Sequence, residues 1–448
     1  MRSRFPNVVR MLGLLAAPPA LAMVPALVAF VQPVAAQDVA IVGGTVHTVA
    51  GPAIDNATVL VRDGRIAAVG PDVPVPQGVQ RIEAAGKIVT PGIFDPASGI
   101  GIVEVDQVDA TIDTRIADEE DPITAAFDVT YGLNPHSTLV TFNRSLGVTT
   151  AATLPSGGLI SGQGAVIDLV GDTPSEMVVK SRAAMRASYD ESAAEMAGGA
   201  RGGAALRLRE VLEDARFWAA NRAAFDRGDA RELAQSRLDL EALQPVLAGR
   251  MPLVVEADRA GDILAVLAIT REFGIRPVIM GGAEAWMVAD ELARAAVPVI
   301  LKPLTNAPED FERLGSRFDN AAMLHAAGVP VAFTTFENHR AFSVLQEAGN
   351  AVRYGLPWDA GLRAVTLTPA EIYGVADGYG SIEPGKVANL VVWSDDPFEV
   401  SGRAETVVIR GEVIEPWSRQ EELFERYRTL DGDRPPAYTG GAHSAGTP

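Results

Sequence analysis

The chain contains no cysteine, and only five histidines and four lysines in 448 residues. The missing cysteines exclude disulfides, thiolate zinc sites, iron–sulfur clusters, a thiol nucleophile and a lipid-modified cysteine. Basic residues are short overall, 38 Lys and Arg against 57 Asp and Glu, for a formal net charge of −19. No cluster of them is dense enough to displace counterions from a nucleic acid, so a DNA- or RNA-binding role is excluded. With five histidines, any multi-histidine metal site would use most of the supply. What is present is a globular composition, 48% hydrophobic and 21% charged. The length calls for one large α/β domain plus a smaller one, or for two to three mid-sized domains.

Residues 1–36 read as a targeting segment. Arg2, Arg4 and Arg10 precede an apolar stretch from Met11 to Val31, broken by Pro18, Pro19 and Pro25. Small residues, Val34-Ala35-Ala36, stand before Gln37 where a signal peptidase cuts. Cleavage near Ala36 predicts a periplasmic or secreted protein with no integral membrane span. An uncleaved anchor is the alternative, disfavoured by prolines within the run.

Residues 37–90 predict short strands, Val39–Val42, Ala57–Val61 and Ile66–Val69. Arg62-Asp63-Gly64-Arg65 between two of them is a hairpin signal. Residues 91–375 alternate apolar runs with amphipathic stretches. Leu253–Val255, Pro277–Met280, Val297–Leu301 and Val329–Thr334 alternate with Asp262–Phe273, Glu284–Ala295 and Asp319–Ala327. That rhythm predicts a parallel barrel of strand–helix units. An Ala/Arg/Glu-rich region at about 175–245 predicts a helical insertion within it. The run Ala197–Ala204 follows no strand and lacks a Gly-Lys-Ser/Thr ending, so it reads as a flexible loop. Residues 376–416 return to strands, and 417–448 predict a helix followed by a disordered Gly/Pro/Ser/Thr-rich tail. The fold expected is α/β, a distorted (β/α)8 TIM-type barrel with a small β-sandwich built from both chain ends.

Several local runs carry a family resemblance. Val42-Gly43-Gly44-Thr45-Val46, Gly64–Gly70 and Gly86-Lys87-Ile88-Val89-Thr90-Pro91-Gly92-Ile93-Phe94-Asp95 resemble the opening of the amidohydrolase superfamily. Thr368-Pro369-Ala370-Glu371 and Gly380–Trp393 resemble its closing signature, in an imidazolonepropionase-like, exported branch. The resemblance spans about residues 40–415. It implies metal-dependent hydrolysis of carbon–nitrogen bonds in amides, cyclic imides or peptides. In that chemistry, zinc or another divalent metal lowers the pKa of a bound water. A His-x-His pair on the first barrel strand points both imidazoles to one side. Further histidines come from later strand ends, and an aspartate on the last strand binds metal and moves the proton.

This sequence departs from that pattern at every station. The first-strand pair falls on Ala97 and Gly99, and the fifth-strand histidine on Glu256, in Glu256-Ala257-Asp258. The next histidine position is Gly281. The last-strand aspartate falls on Phe336, or on Glu337 with a one-residue slip. The histidines present do not compensate. His47 lies in the small β region, His325 within a helix and His443 in the tail, which leaves His136 and His339 near strand ends. No metal cofactor is therefore expected, against the family norm of zinc or another divalent ion.

The strand ends still offer Asp95, Ser98, Glu256, Asp258, Glu284, Lys302, Glu337, Asn338 and His339. Candidates for a catalytic role are Glu256, Asp258, Lys302, Glu337 and His339; for substrate binding, Asp95, Ser98 and Ser161. One expectation pairs the Lys302 ammonium with Glu256 in place of the lost metal charge. Another makes Glu256, Asp258 and Glu337 an oxygen site for Mg2+ or Ca2+. Lys180, a bridging carboxylated lysine in some relatives, reads as a plain lysine here. The Gly/Ser run Pro155–Gly164 offers either backbone N–H groups to a ligand or a structural turn. Its serines, like Ser98, lack a histidine base. Three readings follow: a hydrolase of carbon–nitrogen bonds impaired at its metal site, a non-catalytic periplasmic partner of an active amidohydrolase paralogue, or a ligand-binding barrel. The expected partners are a small amide or peptide-like ligand, that paralogue, and a second chain in a homo- or heterodimer.

Overall fold

The computed structural model describes residues 38–116, 121–305, 307–415 and 419–428. The predicted signal segment and the tail beyond residue 428 lie outside the described residues. Strands β1 (Val39–Val46), β2 (Ile54–Arg62), β3 (Arg65–Gly70), β4 (Gln80–Glu83) and β5 (Ile88–Pro91) come first. The hairpin between β2 and β3 forms where Asp63 (φ 48°) and Gly64 (φ 73°) both take left-handed backbone, the geometry of a two-residue I′ turn.

The barrel strands follow: β6 (Ile93–Ser98), β7 (Val148–Thr153), β8 (Ile160–Asp168), β9 (Val178–Ser188), β10 (Leu253–Ala257), β11 (Pro277–Gly281), β12 (Val299–Leu301) and β13 (Val331–Phe333). They form one eight-stranded sheet ordered from β6 to β13. Most neighbours are parallel, but β8 runs antiparallel to both β7 and β9. This corrects the expected helical insertion at about 175–245: after one helical turn at Pro174–Met177, Val178–Ser188 is a strand, and the remaining helices lie within 191–247. Ala, Met and Arg favour helix locally. Here pairing on both sides overrides them, and Ala183 and Ala184 are small enough to sit buried in the wall.

Inward positions alternate along the strands. Phe94, Ala152, Val166, Ala184, Val254, Val278, Met280, Ile300 and Ala332 fill the barrel, with Tyr373 packed against them. No ladder joins β13 to β6, and side chains close that seam. Thr334 Oγ1 lies 2.8 Å from Asp95 Oδ1 and 3.0 Å from Ala97 O. The Tyr373 hydroxyl donates to Pro96 O.

The chain returns through β14 (Leu390–Trp393), β15 (Ala404–Ile409) and β16 (Glu412–Ile414). β14 pairs antiparallel with β5, Leu390 opposite Pro91, so both chain ends share one sheet beside the barrel. A helix follows at Arg419–Tyr427. Among the described residues no helix is long and apolar enough to cross a membrane.

Candidate functional site

A cavity of about 330 Å3 opens at the carboxyl ends of the barrel strands, where barrel proteins place their chemistry. β6 contributes Ala97, Ser98 and the following Gly99; β9 contributes Arg186, β10 Glu256, and β11 Met280. Thr114, Arg115, Ser156, Phe336 and Asn338 reach it from loops.

Ala97 carries no donor atom. At Gly99, the space a side chain would take is already filled. A Cβ there would stand 2.9 Å from Val103 Cγ2 and 3.0 Å from Asn338 Oδ1. The Gly99 N–H donates to that same oxygen at 2.5 Å, and Asn338 Nδ2 donates to Asp106 Oδ1 at 2.8 Å. Gly281 repeats the pattern. Its φ is 95°, and a Cβ would meet Asp258 Oδ1 at 2.7 Å. Phe336 is left-handed at φ 56° and half-exposed on the cavity rim.

The carboxylates are held by guanidinium groups. Arg186, two residues beyond the inward Ala184, forms an ion pair with Glu256 and donates to Pro155 O at 2.9 Å. Burial pushes the Glu256 carboxyl above its usual range; Arg186 pulls it back, while Asp190 and Asp258 add repulsion. Asp258, 7% exposed, accepts from Arg313 Nε at 2.9 Å and from the Ala283 N–H at 2.9 Å. Arg313 arrives on the loop after β12. Glu284 fastens that loop by accepting the Gly315 N–H at 3.0 Å and the Ala260 N–H at 3.1 Å.

The expected pairing of Lys302 with Glu256 is corrected. Lys302 Nζ lies 3.7 Å from Glu337 Oε1, and Glu256 takes Arg186. Arg186 stands on the strand next to β10, whereas Lys302 is two strands away, beyond β11. Behind Lys302, buried Glu347 accepts the Leu304 N–H at 2.7 Å, and its burial raises its pKa to about 7. His339 stacks on Phe142, ring centroids 5.1 Å apart, rather than lining the cavity. Asp95 is fully buried on the barrel seam, where desolvation raises its pKa to about 6 against hydrogen bonds from Ala97 and Thr334. Of the proposed substrate contacts, Ser98 lines the cavity; Asp95 and Ser161 are buried outside its lining. Lys180 donates to Tyr373 O at 2.7 Å, near the amino-terminal end of β9 and away from the mouth.

The donor set does not fit a divalent metal. Four of the family positions, Ala97, Gly99, Gly281 and Phe336, have no side-chain ligand atom, and Glu256 and Asp258 are each neutralised by an arginine. Among the described residues no group of three or more His, Asp or Glu is arranged to hold a metal ion. Sequence reading missed Arg186 and Arg313. Arg186 shares the inward alternation of Ala184, a signal hidden by the helical reading of that segment. Arg313 lies in an irregular loop with no periodicity to place it.

A (β/α)8-type barrel with a strand-end cavity, flanked by a sheet built from both chain ends, is the architecture this chain shares with amidohydrolases of known structure. The amidohydrolase family model matches residues 261–414. A crystal structure of an amidohydrolase from Thermotoga maritima MSB8 is similar at 28% identity and a TM-score of 0.76, covering 85% of this chain and 100% of that one. Amidohydrolase tasK of Hapsidospora irregularis is 27% identical over 387 residues, 79% of this chain. This chain spans 39% of the length of that curated relative. Molinate hydrolase shares the fold, at 18% identity and a TM-score of 0.53 over 85% of this chain and 95% of its own. Sequence and fold together make the chain similar to amidohydrolases.

Proposed function

We propose that this chain is an amidohydrolase of the imidazolonepropionase-like, exported branch whose metal site has degenerated. It binds a small amide or peptide-like ligand at the barrel mouth and hydrolyses carbon–nitrogen bonds poorly or not at all. The observation that carries this reading is the pairing of Glu256 with Arg186 and of Asp258 with Arg313. A guanidinium balances a carboxylate's charge and donates to it, but it cannot bind a water and lower that water's pKa as a metal does. A periplasmic location follows from the amino-terminal segment and belongs to the same proposal.

The test is a broad screen of amides, cyclic imides and dipeptides with the purified protein, with and without added zinc or manganese. Turnover near the background rate is expected. Efficient turnover that is lost in Glu256→Ala would overturn the proposal.

A second reading, a regulatory partner of an active amidohydrolase paralogue, draws on the loop bearing Arg313. That loop presents Phe311, 83% exposed, and Leu314, 62% exposed, to solvent. Under this reading, adding the protein raises the paralogue's kcat/KM, and Phe311→Ser abolishes the rise. An unchanged kcat/KM would dismiss it.

A further inference from the structure

We propose that the cavity at the barrel mouth recognises the free carboxylate of its ligand through Arg115, so that the ligand class is a small amide bearing a terminal carboxylate, such as an N-acyl amino acid. The inference rests on the ligand-binding part of the proposed function and goes further by assigning the group that is recognised.

The charged side chains in the lining are Asp106, Arg115, Arg186 and Glu256. Arg186 and Glu256 neutralise each other, and Arg186 also spends a donor on Pro155 O. Asp106 holds the Asn338 amide over Gly99. Arg115 is exposed, and its guanidinium has no partner among the described residues.

Its base, unlike its tip, is built in. Thr114, 5% exposed, accepts the Ser156 N–H at 2.8 Å through its carbonyl, and the two hydroxyls lie 2.7 Å apart. The Arg115 stem then crosses Gly157, whose φ is 74°; a Cβ there would sit 3.5 Å from Arg115 Cδ. The Gly/Ser run thus acts by seating an arginine, because its Ser156, Leu159 and Ile160 N–H groups are spent on Thr114 and Pro122 carbonyls.

The remaining wall suits the rest of such a ligand. Leu154, Met280, Ile112 and Phe336 are apolar, and the Ser98 hydroxyl is at hand for an amide. About 330 Å3 is at the small end of ligand pockets, roughly 300–1,000 Å3, so the ligand is a single residue or a short peptide, not a polymer. A planar guanidinium pairs with a carboxylate through two parallel hydrogen bonds and has no such match with a carboxamide.

The experiment titrates the full chain calorimetrically with N-acetylglycine, N-acetyl-L-leucine and N-acetyl-L-phenylalanine, and with the three corresponding carboxamides. At least one acid is expected to bind about tenfold or more tighter than its carboxamide. Arg115→Gln abolishes that preference, and Arg115→Lys keeps part of it; both melt with the parent protein, since Arg115 is exposed. Equal binding of acid and carboxamide, or an acid affinity unchanged in Arg115→Gln, would overturn the inference while leaving the ligand-binding reading in place. Binding of none of the six compounds would overturn the inference and count against that reading too.

Discussion

Arg186 crosses from β9 to Glu256 on β10 with its side chain 12% exposed, so each charge depends on the other. Removing the arginine strands a largely buried carboxylate. Arg186→Met is expected to cost about 2–4 kcal/mol of unfolding free energy, less than a fully buried pair would because Glu256 retains 34% side-chain exposure. The double variant Arg186→Met, Glu256→Gln should recover at least about 1 kcal/mol of that sum. Additive losses in denaturant titrations would show that the pair is not coupled. Gly99 offers a second test at this scale. Gly99→His must push its Cβ into Val103 and Asn338, and should lose about 1–3 kcal/mol without gathering zinc. Asn338→Gly in the same chain should restore part of the stability. A stable Gly99→His protein would mean that Val103 and Asn338 do not block a side chain at this position.

Elements are tied together by a second buried carboxylate. Asp168, at the end of β8, is fully buried. It accepts from Thr150 at 3.0 Å, Asn389 at 2.9 Å, Tyr379 at 3.0 Å and Arg410 Nε at 2.6 Å. Arg410 belongs to the turn between β15 and β16, so this network fastens the two-ended sheet to the barrel. Arg410→Ala should destabilise the protein by about 3 kcal/mol in calorimetry; a loss under about 0.5 kcal/mol would make the contact incidental. Elements were also where sequence reading was strongest and weakest. Asp63-Gly64 marked its hairpin because few other pairs tolerate two left-handed residues. The parallel strands of the second half were legible from their apolar runs. The apolar run Ala165–Val170 also falls on β8, but its antiparallel direction inside a parallel barrel leaves no local mark, and β9 was not legible because its composition is helix-forming. For the site, the lack of ligand atoms could be seen at Ala97, Gly99, Gly281 and Phe336, but the arginine partners of Glu256 and Asp258 depend on which strand and which loop come to lie beside β10.

The whole molecule should carry a pH signature. Glu347, with a folded pKa of about 7 against an ordinary 4.5, binds its proton more tightly folded than unfolded. Its contribution is present in full below about pH 4.5 and lost as pH rises through about 7. The loss is of order 3 kcal/mol. Asp95 adds a smaller loss of the same sign as pH rises through about 6. Glu347→Gln keeps an acceptor for the Leu304 N–H and should flatten the fall in Tm between pH 5 and pH 8. An unchanged slope would remove Glu347 from the account.

The central claim is that guanidinium groups now stand where the family's chemistry would need a metal. Calorimetric titration of chelator-treated protein with zinc, checked by elemental analysis of the purified chain, tests it most directly. The account predicts no stoichiometric site tighter than about 10 μM, and no change in zinc binding in Glu256→Ala or Asp258→Ala. One or two zinc ions per chain bound at submicromolar affinity, and lost in Glu256→Ala, would contradict it.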